Sequence, residues 1–119
     1  MKVLVLVKAT EDSEKGTPPE PAMFAAMDKF NDALIKAGIM RDAQGLKPSS
    51  AGKRIVFDGD SRAVENGPFQ HPEELVTGFW LWEVKDMDEA VAWVKKCPNP
   101  MPGRSKIEIR PIDDADYSK

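Results

Sequence analysis

The run Glu65–Pro98, ENGPFQHPEELVTGFWLWEVKDMDEAVAWVKKCP, holds a polar turn, a strongly apolar strand and an amphipathic helix in direct succession. Its centre, Gly78-Phe79-Trp80-Leu81-Trp82-Glu83-Val84, is too short to span a bilayer and too aromatic and branched for a loop. A strand follows. Alternation puts Trp80, Trp82 and Val84 on one face and Phe79, Leu81 and Glu83 on the other. Both faces then carry large apolar groups, so helices can cover one while the other needs a further layer. Downstream, Asp86 serves as N-cap and Glu89, three residues on, completes a reciprocal capping pattern. Ala90, Val91, Val94 and Cys97 recur at helical spacing, Lys95 and Lys96 suit the negative end of the helix dipole, and Pro98 stops the helix.

Outward from this run, Val3–Lys8 is apolar on both faces and reads as a central strand. Residues 10–21, TEDSEKGTPPEP, are polar with three prolines, which predicts a surface loop long enough to act as a lid. From Pro21 the spacing of Phe24, Met27, Phe30, Leu34 and Ile35 predicts a helix that Gly38 ends. Leu46-Lys47-Pro48 reads as a short strand and residues 49–52 as a turn. Lys53–Phe57 and Ser61–Val64, joined by Asp58-Gly59-Asp60, form a hairpin whose Lys53, Arg54 and Arg62 could meet an acidic group. Asn66-Gly67-Pro68-Phe69 makes a tight turn at the entrance to the apolar strand, placed to serve as a binding rim. Lys106–Ile112 alternates as a last strand, and Asp113–Lys119 reads as a surface tail.

At 119 residues the chain is the size of one domain, 1–119, able to bury a core without staples. A net charge of −3 with Lys and Arg scattered along the chain gives no footprint for nucleic acid, and no run is long enough to cross a membrane. The lone Cys97 cannot form an internal disulfide, and the apolar start Val3–Val7 is a first strand rather than a secretion signal; together these predict a cytoplasmic protein. Scattered carboxylates with one histidine give no metal-ligand spacing, and no glycine-rich phosphate loop points to a nucleotide, so no cofactor is expected.

The element order approximates β-α-β-β-α-β, an α+β, ferredoxin-like arrangement with both helices on one face of an antiparallel sheet. Phe79 and Leu81 on the other face predict burial against a second copy, because each large apolar side chain removed from water contributes about 1.5–3 kcal/mol. Asn66-Gly67-Pro68-Phe69, Gly78 through Val84, Asp88-Glu89-Ala90 and Ile107-Glu108-Ile109-Arg110-Pro111-Ile112 together resemble the YCII-related family, in the branch whose motif is Asp-Gly-Pro-Phe. That resemblance implies a dimeric α+β barrel enclosing clefts, and relatives that look like small-molecule enzymes using a His and Asp pair. Here Asn66 replaces the motif's aspartate and removes a carboxylate.

Two functional readings follow. In the first, a homodimer binds a small polar or acidic metabolite in a cleft at the sheet interface, through Asn66, Glu83, Glu108 and Arg110. Glu83, Glu108 and Arg110 would point toward the partner, and Arg110 would pair with a carboxylate or an anionic ligand, since a charge buried there cannot stay alone. In the second, an enzyme uses His71, the sole histidine, as general acid or base, oriented by Glu65, Glu73 or Glu74. A convergent acid and base in an enclosed pocket separates the enzyme from the binding module.

Overall fold

The computed structural model describes residues 1–115 of the chain. In order these form β1 (Lys2–Lys8), α1 (Glu11–Glu14), α2 (Pro21–Lys36), β2 (Met40–Gly45), β3 (Lys53–Asp58), β4 (Ser61–Asn66), β5 (Val76–Glu83), α3 (Met87–Lys95) and β6 (Ile107–Pro111). The fold class is α+β. Four strands make an antiparallel sheet in the order β2-β5-β1-β6, while β3 and β4 pair only with each other as a separate hairpin. Of the expected tail, residues 116–119 lie outside the described residues.

The alternation of β5 governs the layering. β1 pairs with it in the register Val3↔Trp82, Leu4↔Leu81 and Val5↔Trp80, so the two faces sort cleanly. Val3, Val5, Val7, Trp80, Trp82 and Val84 are buried with Phe30 and Leu34 of α2 and Ala90 of α3. Phe30 meets Trp80 edge-on at 5.9 Å and 79°, and Trp80 lies 5.7 Å from Trp82, an aromatic cluster that locks α2 to the sheet. Trp80 Nε1 also donates to Asn31 Oδ1 at 2.9 Å, so the indole nitrogen keeps a partner where the ring is buried. The other face, with Leu4, Leu6, Phe79 and Leu81, remains partly exposed.

Several expectations change at the element ends. The second sheet strand is β2 at residues 40–45, not residues 46–48: MRDAQG is polar and almost wholly exposed, as an edge strand can be, and so lacks an apolar signature. Within the expected loop at residues 10–21, Thr10 caps α1 by accepting from Ser13 N at 3.3 Å, and Ser13 Oγ accepts from Thr10 N at 2.9 Å. On α2, Phe24 and Ile35 are exposed, so its apolar side is narrower than the spacing predicts. At α3, Asp86 accepts from Glu89 N at 2.9 Å, but the Glu89 carboxylate reaches one residue further back than expected, to Lys85 N at 2.8 Å.

The β3–β4 hairpin forms, but its turn is Gly59-Asp60 rather than Asp58-Gly59-Asp60: Asp58 pairs with Ser61, which sets the register Ile55↔Val64 and Phe57↔Arg62, with Gly59 at φ 57 supplying the left-handed residue. It is an arm rather than part of the sheet. Its projection raises the radius of gyration to 16.4 Å, against about 13.5 Å for a compact chain of this length. The Cα envelope measures 47 × 46 × 19 Å, the thin dimension being that of one sheet and one helix layer.

Candidate functional site

A pocket of about 600 Å³ opens where the ends of β1 and β5 meet the segments before α2 and after α3. Val7 and Thr77 come from the sheet, and Ala22 and Met23 from the first turn of α2. Pro18-Pro19 line it on one side and Pro100-Met101-Pro102 on another. Proline rings fix φ, so these two strips are walls with little freedom to lose on binding. The second strip is tied to the start of α1, where Thr10 Oγ1 donates to Met101 Sδ at 3.3 Å. Set into the mainly apolar lining are the hydroxyls of Ser13, Thr17 and Thr77 and the carboxylates of Asp12 and Glu20, with no Lys or Arg among the described lining residues. This volume and mixture suit a small molecule with an apolar body and hydrogen-bonding groups that are neutral or cationic. A smaller pocket of about 340 Å³ between α2 and the β2 edge shares Val7 and Thr77 with it.

The Asn-Gly-Pro-Phe turn is linked through Ser49 to α1, two of whose other residues line this pocket. Ser49 donates through N to Glu14 Oε1 at 2.9 Å and through Oγ to Glu14 Oε2, and its Oγ accepts from Phe69 N at 2.9 Å. The carboxylate of α1, whose Asp12 and Ser13 line the pocket, therefore holds the turn that closes the arm. Gly67 N donates to Gly52 O at 3.0 Å, and a Cβ at Gly67 would overlap the Ser49 carbonyl oxygen. Gly67 is required by this close backbone approach. The Gly67–Pro68 peptide is cis, and Phe69 lies under the Arg54 guanidinium at 4.0 Å.

The model of the YCII-related domain matches residues 1–113, nearly the whole chain. The chain belongs to the YCII-related family. An uncharacterized protein of Rhizobium meliloti (strain 1021) is 27% identical over 78 residues, a stretch that covers 66% of this chain and 63% of the relative. The chain thus spans somewhat under two thirds of that relative's length.

In this YCII-related domain the residues singled out from sequence fall into separate places. His71, at φ 63 and ψ 72, precedes the short turn Pro72–Glu74, and its Nδ1 lies 3.3 Å from Glu73 Oε1. The pair forms, but both side chains are about two-thirds exposed, at 64% and 66%. Glu73 borders a depression of about 300 Å³ that Lys8, Arg104 and Lys106 also line. Glu65 is on the arm opposite Arg54, and no hydrogen bond or ion pair among the described residues joins it to His71. Asn66 accepts from Lys53 Nζ at 2.6 Å across the arm.

Glu83, Glu108 and Arg110 do share the open sheet face, yet β1 separates Glu83 from the other two: Glu83 is opposite Lys2 and Arg110 opposite Leu4. Arg110 Nη1 lies 3.3 Å from Glu108 Oε2 on its own strand, with both side chains well exposed. Glu83 Oε2 instead lies 2.9 Å from the Met1 ammonium. Hydrogen bonding to that ammonium, aided by its charge, holds the Glu83 carboxyl below its usual range against the opposing desolvation. Burial pushes the Cys97 thiol up to about 11, which suits a packing residue and leaves little thiolate at neutral pH. Among the described residues no three His, Cys, Asp or Glu side chains gather where they could hold a metal ion, and no helix is long and apolar enough to cross a membrane.

The residues that form the large pocket escaped the sequence reading. Pro18-Pro19 fall in the stretch expected to be a surface loop or lid, and Pro100-Met101-Pro102 fall between the helix stop at Pro98 and the last strand at Lys106. A usable signal was present in the two proline-rich strips flanking elements of one sheet, but their pairing across more than eighty residues is a tertiary fact.

Proposed function

We propose that this protein is a cytoplasmic homodimer that binds a small polar metabolite, with a second copy and that small molecule as its partners rather than nucleic acid or a membrane. The observation that carries the ligand reading is the pocket of about 600 Å³ with its proline walls. Its carboxylates, Asp12 and Glu20, favour a neutral or cationic ligand over an acidic one. The strand order, read without the arm, follows β-α-β-β-α-β and supports a ferredoxin-like fold. The partly exposed Leu4, Leu6, Phe79 and Leu81 support closure of two sheets into a dimeric barrel. Asn66-Gly67-Pro68-Phe69 supports placement in the branch with the Asp-Gly-Pro-Phe motif.

The ligand reading is tested by NMR of the Met23, Met101 and Val7 methyl groups during titration with phenol, phenethylamine and benzoate. Saturable shifts with the first two and weaker ones with benzoate are expected, and Ala22→Trp should abolish them by filling the pocket. Unmoved methyls throughout, or preference for benzoate, would overturn it.

One observation favours a catalytic reading: His71 lies 3.3 Å from Glu73, and Glu73 lines the depression with Glu11, Lys8, Arg104 and Lys106. In that reading His71 moves a proton on an anionic substrate held by those cations. The exposure of the pair weighs against it, because acid–base groups gain from exclusion of water. Loss of turnover in His71→Ala, once an anionic substrate is in hand, is its test.

A further inference from the structure

The β3–β4 arm carries an apolar face that its own chain leaves bare. Cross-strand register places Lys53 with Asn66, Ile55 with Val64, and Phe57 with Arg62 on one side. Ile55, Val64 and Phe57 are 46%, 59% and 70% exposed, and Val56 on the reverse side is 42% exposed. Arg62 gives partial shelter, its guanidinium 4.6 Å over the Phe57 ring. The two strands pack chiefly on each other, and the arm joins the body at its root, where Gly67, Gly52, Ser49 and Glu14 are bonded together. A lone two-stranded hairpin is marginal in water, so six regular cross-strand pairs bearing an apolar face require a cover.

We infer that each arm docks along a second copy of this chain, so that two arms clasp a face-to-face pair. The inference rests on the homodimer proposed above and adds to it the element that completes the interface. Four strands about 4.8 Å apart and about seven residues long present a sheet face of roughly 450 Å². That falls short of the roughly 800 Å² each partner contributes to a stable interface. An arm two strands wide and six residues long offers about 200 Å² on one face. Two-fold symmetry counts it twice for each chain, once as the arm extended and once as the arm received, which brings the buried surface to the standard size. The geometry leaves room for this. With the Cα envelope only 19 Å deep, the arm lies beside its own two layers rather than over its own open face. Lys2, Glu83, Glu108 and Arg110 on that face alternate in sign, which suits contact with an identical surface.

Sedimentation equilibrium of the full chain across the micromolar range tests the clasp, comparing wild type with Phe57→Asp and with Glu65→Gln on the reverse side of the arm. The expected result is a wild-type dimer, a dissociation constant raised about tenfold or more by Phe57→Asp, and no change with Glu65→Gln. Far-ultraviolet circular dichroism and tryptophan fluorescence should stay as in wild type, since the indoles belong to the sheet and α3. Hydrogen exchange on wild type alone gives a second readout: arm amides should slow as concentration rises through dissociation. A dimer indifferent to Phe57→Asp, with arm amides that exchange quickly at every concentration, overturns the clasp and leaves the sheet-face dimer standing. A wild-type monomer throughout overturns both and gives the arm a different occupant.

Discussion

Gly67 shows how one residue can carry a motif. Its missing Cβ lets the turn pass against the Ser49 carbonyl, and any side chain there forces backbone apart from backbone. Gly67→Ala should therefore lower unfolding stability by about 3 kcal/mol, the upper part of the range for overpacking, as read from urea denaturation. Asn66→Asp restores the carboxylate seen in the related motif and should change stability by less than about 0.5 kcal/mol, since Lys53 Nζ can bond either oxygen. A large loss with Asn66→Asp would mean that the amide nitrogen has a task of its own. Glu83 gives a pH-dependent counterpart. Its carboxyl is lowered by the Met1 ammonium, so the ionised form stabilises the fold. That contribution is full above the ordinary glutamate range and is lost as pH falls through the lowered folded value. Thermal melts should show Glu83→Gln less stable than wild type at neutral pH, with the difference vanishing in acid; a difference that persists in acid would assign the effect to packing.

At the scale of elements, α1 matters beyond its four residues. It presents Asp12 and Ser13 to the pocket and Glu14 to Ser49, so the root of the arm and the wall of the pocket share one small piece of structure. Ser49→Ala removes the hydroxyl that bridges Glu14 and Phe69, leaving a partly buried amide and a carboxylate oxygen short of a partner. A loss of about 1–2 kcal/mol is expected, with faster hydrogen exchange at Phe69 and in α1 while the sheet is unchanged. Uniform acceleration across β1 and β5 would instead show that the bridge supports the whole fold. β2 belongs to this scale as well. Its MRDAQG sequence was invisible to periodicity because an edge strand with one solvated side needs no apolar stripe, and its pairing with β5 supplies the order that its residues lack.

Across the whole molecule, the core is concentrated in one aromatic cluster. Phe30 touches Trp80, Trp82 and Trp93, so a single side chain of α2 joins the long strand to α3. Phe30→Ala should cost about 3–5 kcal/mol, enough to consume much of the stability of a domain this size, and denaturant midpoints measure it. A cost under 1 kcal/mol would mean that the helices are held mainly by contacts outside this cluster. Outside that cluster, the projecting arm leaves Ile55, Phe57 and Val64 exposed.

The sequence by itself determined the elements whose cause is local. Alternation in Phe79–Val84 set the two faces of β5, the Asp86 and Glu89 pattern started α3, and Asp58-Gly59-Asp60 marked where the arm turns back. Glu73 for His71 and Glu108 for Arg110 were each one of several carboxylates the sequence offered, and in each case the one two residues away is the one that pairs. Only the tertiary structure decided that the arm stands outside the sheet, that Glu83 answers Met1 rather than Arg110, and that Pro18-Pro19 and Pro100-Met101-Pro102 meet around one pocket. The reason is physical: turn chemistry and periodicity act within a few residues, whereas a contact such as Thr10 to Met101, 91 residues apart, exists only once the sheet has brought its strands together.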